Sequence, residues 1–205
     1  MKTLQTEDGR LYVVSGASRS GKTAYTVREV RKAARAMAWD PEDQWAALPG
    51  WQRITTRAAL LEAAQKPGPA RLAFVAGGDL KKAFDFWAGC AFHWGRYYGP
   101  CVVVAEELAD VTTPSKAPGN WGILLRRGLK RGIYIWAISQ RWAEADKTAM
   151  GNASEFIVFR ASSADDAAYF ARKTRLQAAE IEALQPLEFI RMSTTGAKER
   201  GKLRF

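Results

Sequence analysis

The chain has 205 residues, of which 47% are hydrophobic and 25% charged, and this length and apolar content suit one α/β domain spanning residues 1–205 with a sizeable core. A formal net charge of +10 points to polyanionic partners, nucleic acid before an anionic membrane surface. No apolar run approaches the roughly 18 residues of a membrane span, the first residues have no apolar signal core, and Cys90 and Cys101 lack metal-ligand spacing, which excludes an intrinsic span and a disulfide framework and suggests a cytosolic protein with reduced core thiols.

In chain order, Leu11–Ser15 reads as a short buried strand and Thr23–Ala38 as a helix with a basic face of Arg28, Arg31, Lys32 and Arg35. Between them stands Gly16-Ala17-Ser18-Arg19-Ser20-Gly21-Lys22-Thr23, which fits G-x-x-x-x-G-K-[ST] in the strand–loop–helix setting that a phosphate-binding loop requires. Backbone N–H groups of Gly16, Ser18, Arg19, Ser20, Gly21, Lys22, Thr23 and Ala24 are expected to wrap the phosphates of ATP, helped by the positive end of the helix. Lys22 would reach the β- and γ-phosphates, and the Thr23 hydroxyl would ligate Mg²⁺.

Residues 40–52 read as a loop holding Trp45 and Trp51, Arg53–Thr55 as a short strand, and Arg57–Gln65 as a helix closed by prolines. Arg71–Ala76 is a strand. Asp79 caps a helix running to about Arg96, with a core stripe of Leu80, Phe84, Trp87, Ala91 and Trp94; His93 lies off that stripe. Cys101–Ala105 is an uninterrupted apolar strand of the doubly covered kind, followed at once by Glu106 and Glu107. Two acids at the mouth of such a strand are costly unless a cation or solvent receives them. Glu106 is therefore assigned to Mg²⁺, through water, and Glu107 to the base that orients and deprotonates an attacking water.

Asn120–Arg131 reads as a helix whose i, i+4 ridges pair Arg126 with Lys130 and Arg127 with Arg131. Ile133–Ser139 is another buried strand, and Gln140 at its end is placed to sense the γ-phosphate or position water. One of Arg126, Arg127, Arg131, Arg141 or Arg160 is a candidate arginine finger acting across a subunit interface. Glu155–Arg160 is a further strand, helices follow near residues 163–174 and 176–184, and Leu187–Met192 with Leu203–Phe205 could close the chain as a hairpin around an exposed segment, Gly196–Lys202. Alternating strands and helices predict a layered α/β fold with a mostly parallel sheet.

This motif set resembles the FtsK–HerA superfamily of DNA-pumping ATPases. The resemblance rests on the loop Gly16–Thr23, the strand Val102–Glu107, the block from Gly128 to Arg141 and its continuation Asp146–Arg160. The near-bare motor is similar to the genome-packaging ATPases of membrane-containing, PRD1-type double-stranded DNA viruses. The resemblance implies a RecA/ASCE-like P-loop NTPase sheet flanked by helices, with the Gln140 strand between those of the phosphate loop and of Glu106. It also implies a homo-oligomeric ring, often a hexamer, with double-stranded DNA in a basic pore, nucleotide between subunits, and portal or vertex proteins as partners. The expected place of action is the host cytoplasm and the packaging vertex of the virion. A Glu at position 106, where the family has Asp, is a departure. Two other readings compete: a small P-loop kinase, for which Arg141–Lys147 could pose as a lid, and a Zot-like phage assembly ATPase.

Overall fold

The computed structural model describes residues 8–115, 117 and 119–204. Nine strands form one sheet in the order β3-β4-β2-β5-β6-β1-β7-β8-β9. The strands are β1 (Leu11–Ser15), β2 (Arg35–Trp39), β3 (Gln52–Ile54), β4 (Ala70–Phe74), β5 (Cys101–Ala105), β6 (Ile133–Ser139), β7 (Glu155–Phe159), β8 (Glu188–Ser193) and β9 (Lys198–Lys202). The helices are α1 (Lys22–Val30), α2 (Arg57–Ala64), α3 (Leu80–Tyr98), α4 (Leu108–Val111), α5 (Gly119–Arg127), α6 (Lys147–Asn152), α7 (Ala164–Lys173) and α8 (Ala178–Glu182). β2 runs parallel to β4 and β5, β3 to β4, and β1 to β7; β8 and β9 close the sheet antiparallel. The expected mostly parallel sheet flanked by helices is the observed one, and β6 stands between β5 and β1.

The chain divides into two compact units, one holding Ala33–Glu106 and one holding Leu11–Lys32 with the chain beyond Trp136. The first has an aromatic interior. Trp39 of β2 meets Phe84 edge-on at 5.3 Å, Phe84 stacks on Trp87 at 5.4 Å, and Trp121 of α5 packs against Phe84 at 5.3 Å. α3 and α5 pack closely because glycine faces the neighbour. A Cβ on Gly89 would sit 3.1 Å from Asn120 Nδ2, and one on Gly119 2.2 Å from Asp85 Oδ1. In the second unit, Tyr25 of α1 lies edge-on to Phe189 at 4.8 Å and to Phe159 at 5.8 Å. Glu155, at the start of β7, accepts from Arg191 Nε, and Arg191 also faces Glu29 at 3.6 Å.

Three sequence expectations are corrected. The helix after the phosphate loop ends at Val30, not Ala38, and Arg35–Trp39 is the strand β2. Its Ala, Arg and Met favour helix, but Ala36, Met37, Ala38 and Trp39 are wholly buried between β4 and β5, and that pairing overrides the local preference. Arg35 therefore leaves the expected basic face. Its guanidinium donates to the carbonyls of Trp94, Tyr98 and Gly99 at the end of α3 and lies 4.3 Å over the Trp94 ring. The helix expected over 120–131 ends at Arg127. A tight 3-10 turn, Leu129–Arg131, follows, and left-handed Gly132 terminates it, so the two continuous cationic ridges are broken at Gly128. Gly128 keeps helical φ −66° and ψ −39° and donates to the Leu124 carbonyl at 2.8 Å, and a Cβ there would lie 2.4 Å from that carbonyl, so the position excludes a side chain. The closing hairpin forms, but its return strand is Lys198–Lys202 rather than Leu203–Phe205. Gly201 opposite Phe189 sets this register, since any side chain at 201 would fall 2.5 Å from the Phe189 ring.

Candidate active site

The phosphate-loop segment folds as a tight turn between β1 and α1. Gly16 takes φ 152° and Gly21 φ 115°, and non-glycine Arg19 takes φ 58°. Gly16 has no room for a side chain: a Cβ would stand 2.6 Å from Phe159 Cβ and 2.7 Å from Ser20 Oγ. The loop is tied to the sheet by Ala17 N–H donating to the Arg160 carbonyl at 2.8 Å. Lys22 is 6% exposed, and its ammonium donates to the carbonyls of Gly16 at 3.0 Å and Ala17 at 2.9 Å. The Lys22 charge is thus held over the concave side of the turn. Ser20 is also buried, and its hydroxyl, which faces Gly16, has no hydrogen-bond partner within the protein. Thr23 stands in the first turn of α1, half-buried, with Ala24 after it; Ser18 and Arg19 at the loop tip are exposed.

The fold brings together two of the residues expected to act on water. Gln140, just past β6, donates its side-chain amide to Glu107 Oε1 at 2.8 Å. Glu107, just past β5, adopts φ 45° and ψ 57°, a left-handed backbone that is strained for a glutamate and turns its carboxylate out of the strand direction. Trp142 anchors the segment after β6: its indole N–H donates to the Val14 carbonyl, two residues before Gly16, at 3.0 Å. Ser139, the last residue of β6, is wholly buried with a hydroxyl that has no hydrogen-bond partner.

Glu106 is 6% exposed, and its Oε1 accepts from the Trp45 indole at 2.9 Å. Trp45 is presented by a turn that Asp40 organises: the buried Asp40 carboxylate accepts from the backbone N–H groups of Gln44 and Ala46, each at 2.8 Å. Among the described residues no group of three or more His, Cys, Asp or Glu is placed to hold a metal ion.

The arginine candidates are exposed. Arg127 ends α5, Arg131 lies in the 3-10 turn before β6, and Arg141 follows Gln140 and pairs with Glu144 at 3.2 Å. Arg131 precedes and Gln140 follows the seven-residue β6, whose six steps span about 20 Å at roughly 3.3 Å per residue. Sequence reasoning missed Trp45, Ser139 and Trp142. Trp45 had one available signal, a large aromatic residue in a Pro-containing loop, which is seldom left in solvent.

No protein-family model matches the chain. Its fold superposes on the genome packaging NTPase B204 of Sulfolobus turreted icosahedral virus 2, solved in complex with AMPPCP, with a TM-score of 0.78 over 96% of this chain and 98% of that one at 13% identity. The fold is that of a P-loop NTPase. The N-terminal domain of zonular occludens toxin from Neisseria meningitidis is also similar, with a TM-score of 0.53 at 13% identity over 96% of this chain and 95% of that one. In sequence, the chain is 33% identical over 138 residues to Protein P9 of Pseudoalteromonas phage PM2. That match covers 67% of this chain and 62% of the phage protein, less than two thirds of its length. The resemblance drawn from the motifs and the neighbours in structure agree: this P-loop NTPase fold is shared with a viral packaging NTPase. Among the described residues no helix is long and apolar enough to cross a membrane.

Proposed function

We propose that this P-loop NTPase hydrolyses ATP and uses the energy to drive viral double-stranded DNA into a capsid. The observation that carries the reading is the phosphate loop with buried Lys22, set in a fold that superposes over almost its whole length on a genome packaging NTPase. In this reading Gly16, Ser18, Arg19, Ser20, Gly21, Lys22, Thr23 and Ala24 cradle the phosphates. Thr23, with Glu106 through water, would hold Mg²⁺, which when bound would supply positive charge against the triphosphate. Glu107 takes the proton of the attacking water, and Gln140 orients Glu107 and the water. One of Arg127, Arg131 and Arg141 reaches the nucleotide of a neighbouring subunit in a homo-oligomeric ring such as a hexamer. The net charge of +10 suits a motor that grips DNA phosphates. Its place of action would be the host cytoplasm, at the packaging vertex and its portal proteins.

The test is steady-state ATP hydrolysis with and without double-stranded DNA over a salt series. Stimulation by DNA that fades as salt rises is expected; no hydrolysis with DNA present overturns the proposal. The similarity to the zonular occludens toxin domain favours a second reading, a phage assembly ATPase acting through protein contacts, at a lower TM-score. Hydrolysis indifferent to DNA would move weight to it.

A further inference from the structure

Two cations share one turn of the phosphate loop. The Ser20 N–H donates to the Ala17 carbonyl at 3.2 Å and closes a four-residue turn over residues 17–20. The same carbonyl accepts from the Lys22 ammonium at 2.9 Å, so the lysine charge sits against this turn. The turn's third residue is Arg19. Because the Ala17 N–H is tied to the Arg160 carbonyl at 2.8 Å, the sheet fixes the backbone from which the Arg19 side chain starts. Arg19 and Lys22 are three residues apart, at most about 11 Å between their Cα atoms. Arg19 holds φ 58°, and a positive φ at the third position of a turn favours glycine or asparagine, so an arginine there is kept at a conformational cost. The residue is exposed, and among the described residues its guanidinium makes no ion pair, hydrogen bond or ring contact. Folding alone gains nothing from it, and two positive charges on one turn repel each other. An anion received by the loop removes that repulsion and gives the guanidinium a partner.

We propose that the Arg19 side chain clasps the terminal phosphate of the bound nucleotide and is a catalytic residue of its own subunit. The inference rests on the phosphate-loop reading above, in which Arg19 contributes only its backbone N–H, and extends it to the side chain. Of the three phosphates of ATP, the terminal one carries the most charge and offers three non-bridging oxygens, which match a planar guanidinium fork. In hydrolysis the oxygen of water bonds to the γ-phosphorus. The bond from that phosphorus to the β–γ bridging oxygen breaks, its electron pair leaves with ADP, and Glu107 takes the water proton. Arg19 neither gives nor takes a proton. It sets positive charge against the γ-oxygens from a backbone held in place before the reaction begins. An arginine of a neighbouring subunit would add to this charge rather than supply all of it.

The experiment titrates the full chain with ATP and with ADP in the presence of Mg²⁺, and follows single-turnover ATP hydrolysis with double-stranded DNA. Arg19→Gly removes the guanidinium and relieves the backbone, so it should melt no lower than wild type. Its ATP affinity should fall about tenfold while ADP, which lacks the terminal phosphate, binds unchanged; hydrolysis should fall on the order of 10²–10³-fold. Arg19→Lys keeps a charge without the fork and should recover part of the ATP affinity but little of the rate. Mixing Arg19→Gly with Lys22→Ala chains separates this role from one across an interface, since a residue serving its own subunit gives the mixture no more activity than the two variants alone. Unchanged ATP affinity, equal losses for ATP and ADP, an unchanged rate, a lower melting temperature or activity restored on mixing each overturns the assignment and leaves the phosphate loop standing. Wild type that binds neither nucleotide overturns the phosphate-loop reading itself, and the role of Arg19 with it.

Discussion

The Gln140 side-chain amide donates to Glu107 at 2.8 Å, tying the residue that leaves β6 to the acid that leaves β5. Glu107 stays in a strained left-handed backbone, and a hydrogen bond to its carboxylate fixes which way the acid points. Glu107→Gln preserves size and a hydrogen-bonding partner for Gln140 but removes the base. Hydrolysis should fall on the order of 10²–10⁴-fold while ATP affinity is retained. Single-turnover hydrolysis alongside nucleotide titration checks this, and a normal rate would place the base elsewhere.

Lys22 has two jobs in this structure, a charge for phosphates and a donor for the carbonyls of Gly16 and Ala17. Lys22→Ala should abolish turnover. It should also lower stability by about 1–2 kcal/mol, because the loop carbonyls lose their buried donor. Denaturant melts with parallel ATPase assays separate the two effects; retained turnover would contradict the phosphate-loop assignment.

Trp45→Phe keeps an aromatic side chain but removes the indole N–H and part of the ring volume. The Glu106 carboxylate, 6% exposed, then loses a donor, at a cost of about 1–3 kcal/mol. The Mg²⁺ dependence of hydrolysis should shift as well if Glu106 serves the metal. An unchanged melting profile and an unchanged Mg²⁺ requirement would together show that the indole–carboxylate bond is dispensable.

Burial pushes the Cys90 thiol up to about 11 and Cys101 to about 12, and burial followed by the nearby Glu29 carboxylate pushes the Tyr25 phenol up to about 12. In each case ionisation is easier in the unfolded chain, so what these three groups contribute to stability is constant below pH 9. It is lost as pH rises, from about 9 for the thiols and 10 for Tyr25, until the folded values are reached. Each group contributes a slope on the order of 1.4 kcal/mol per pH unit within its window. Urea melts at pH 8 and pH 10 should show this loss, and Cys101→Ala should flatten it; equal slopes for wild type and variant would refute the assignment.

The strands that carry the site were legible because each is a short apolar run bounded by chemistry-bearing residues. Leu11–Ser15, Cys101–Ala105 and Ile133–Ser139 form where the sequence places them. Arg35–Trp39 was not legible, because Ala-Met-Ala is helix-favouring and only pairing with β4 and β5 makes it a strand. Helical spacing suggested one helix through Arg131, but Gly128 and Gly132 act through backbone packing that spacing does not encode. The Glu107–Gln140 pairing could be anticipated from strand ends alone; the Trp45–Glu106 bond joins residues 61 positions apart and has no local signal.

The placement of the indoles gives the molecule a built-in optical probe. Of its eight tryptophans, Trp39, Trp45, Trp51, Trp87, Trp94 and Trp121 lie in the unit that holds Ala33–Glu106, so bulk fluorescence reports chiefly on the melting of that unit. Trp142 is different: its indole is bonded to Val14, at the foot of the phosphate loop. The difference between the emission of wild type and of Trp142→Phe therefore isolates a signal from the foot of the loop, which can be followed on nucleotide addition without a label.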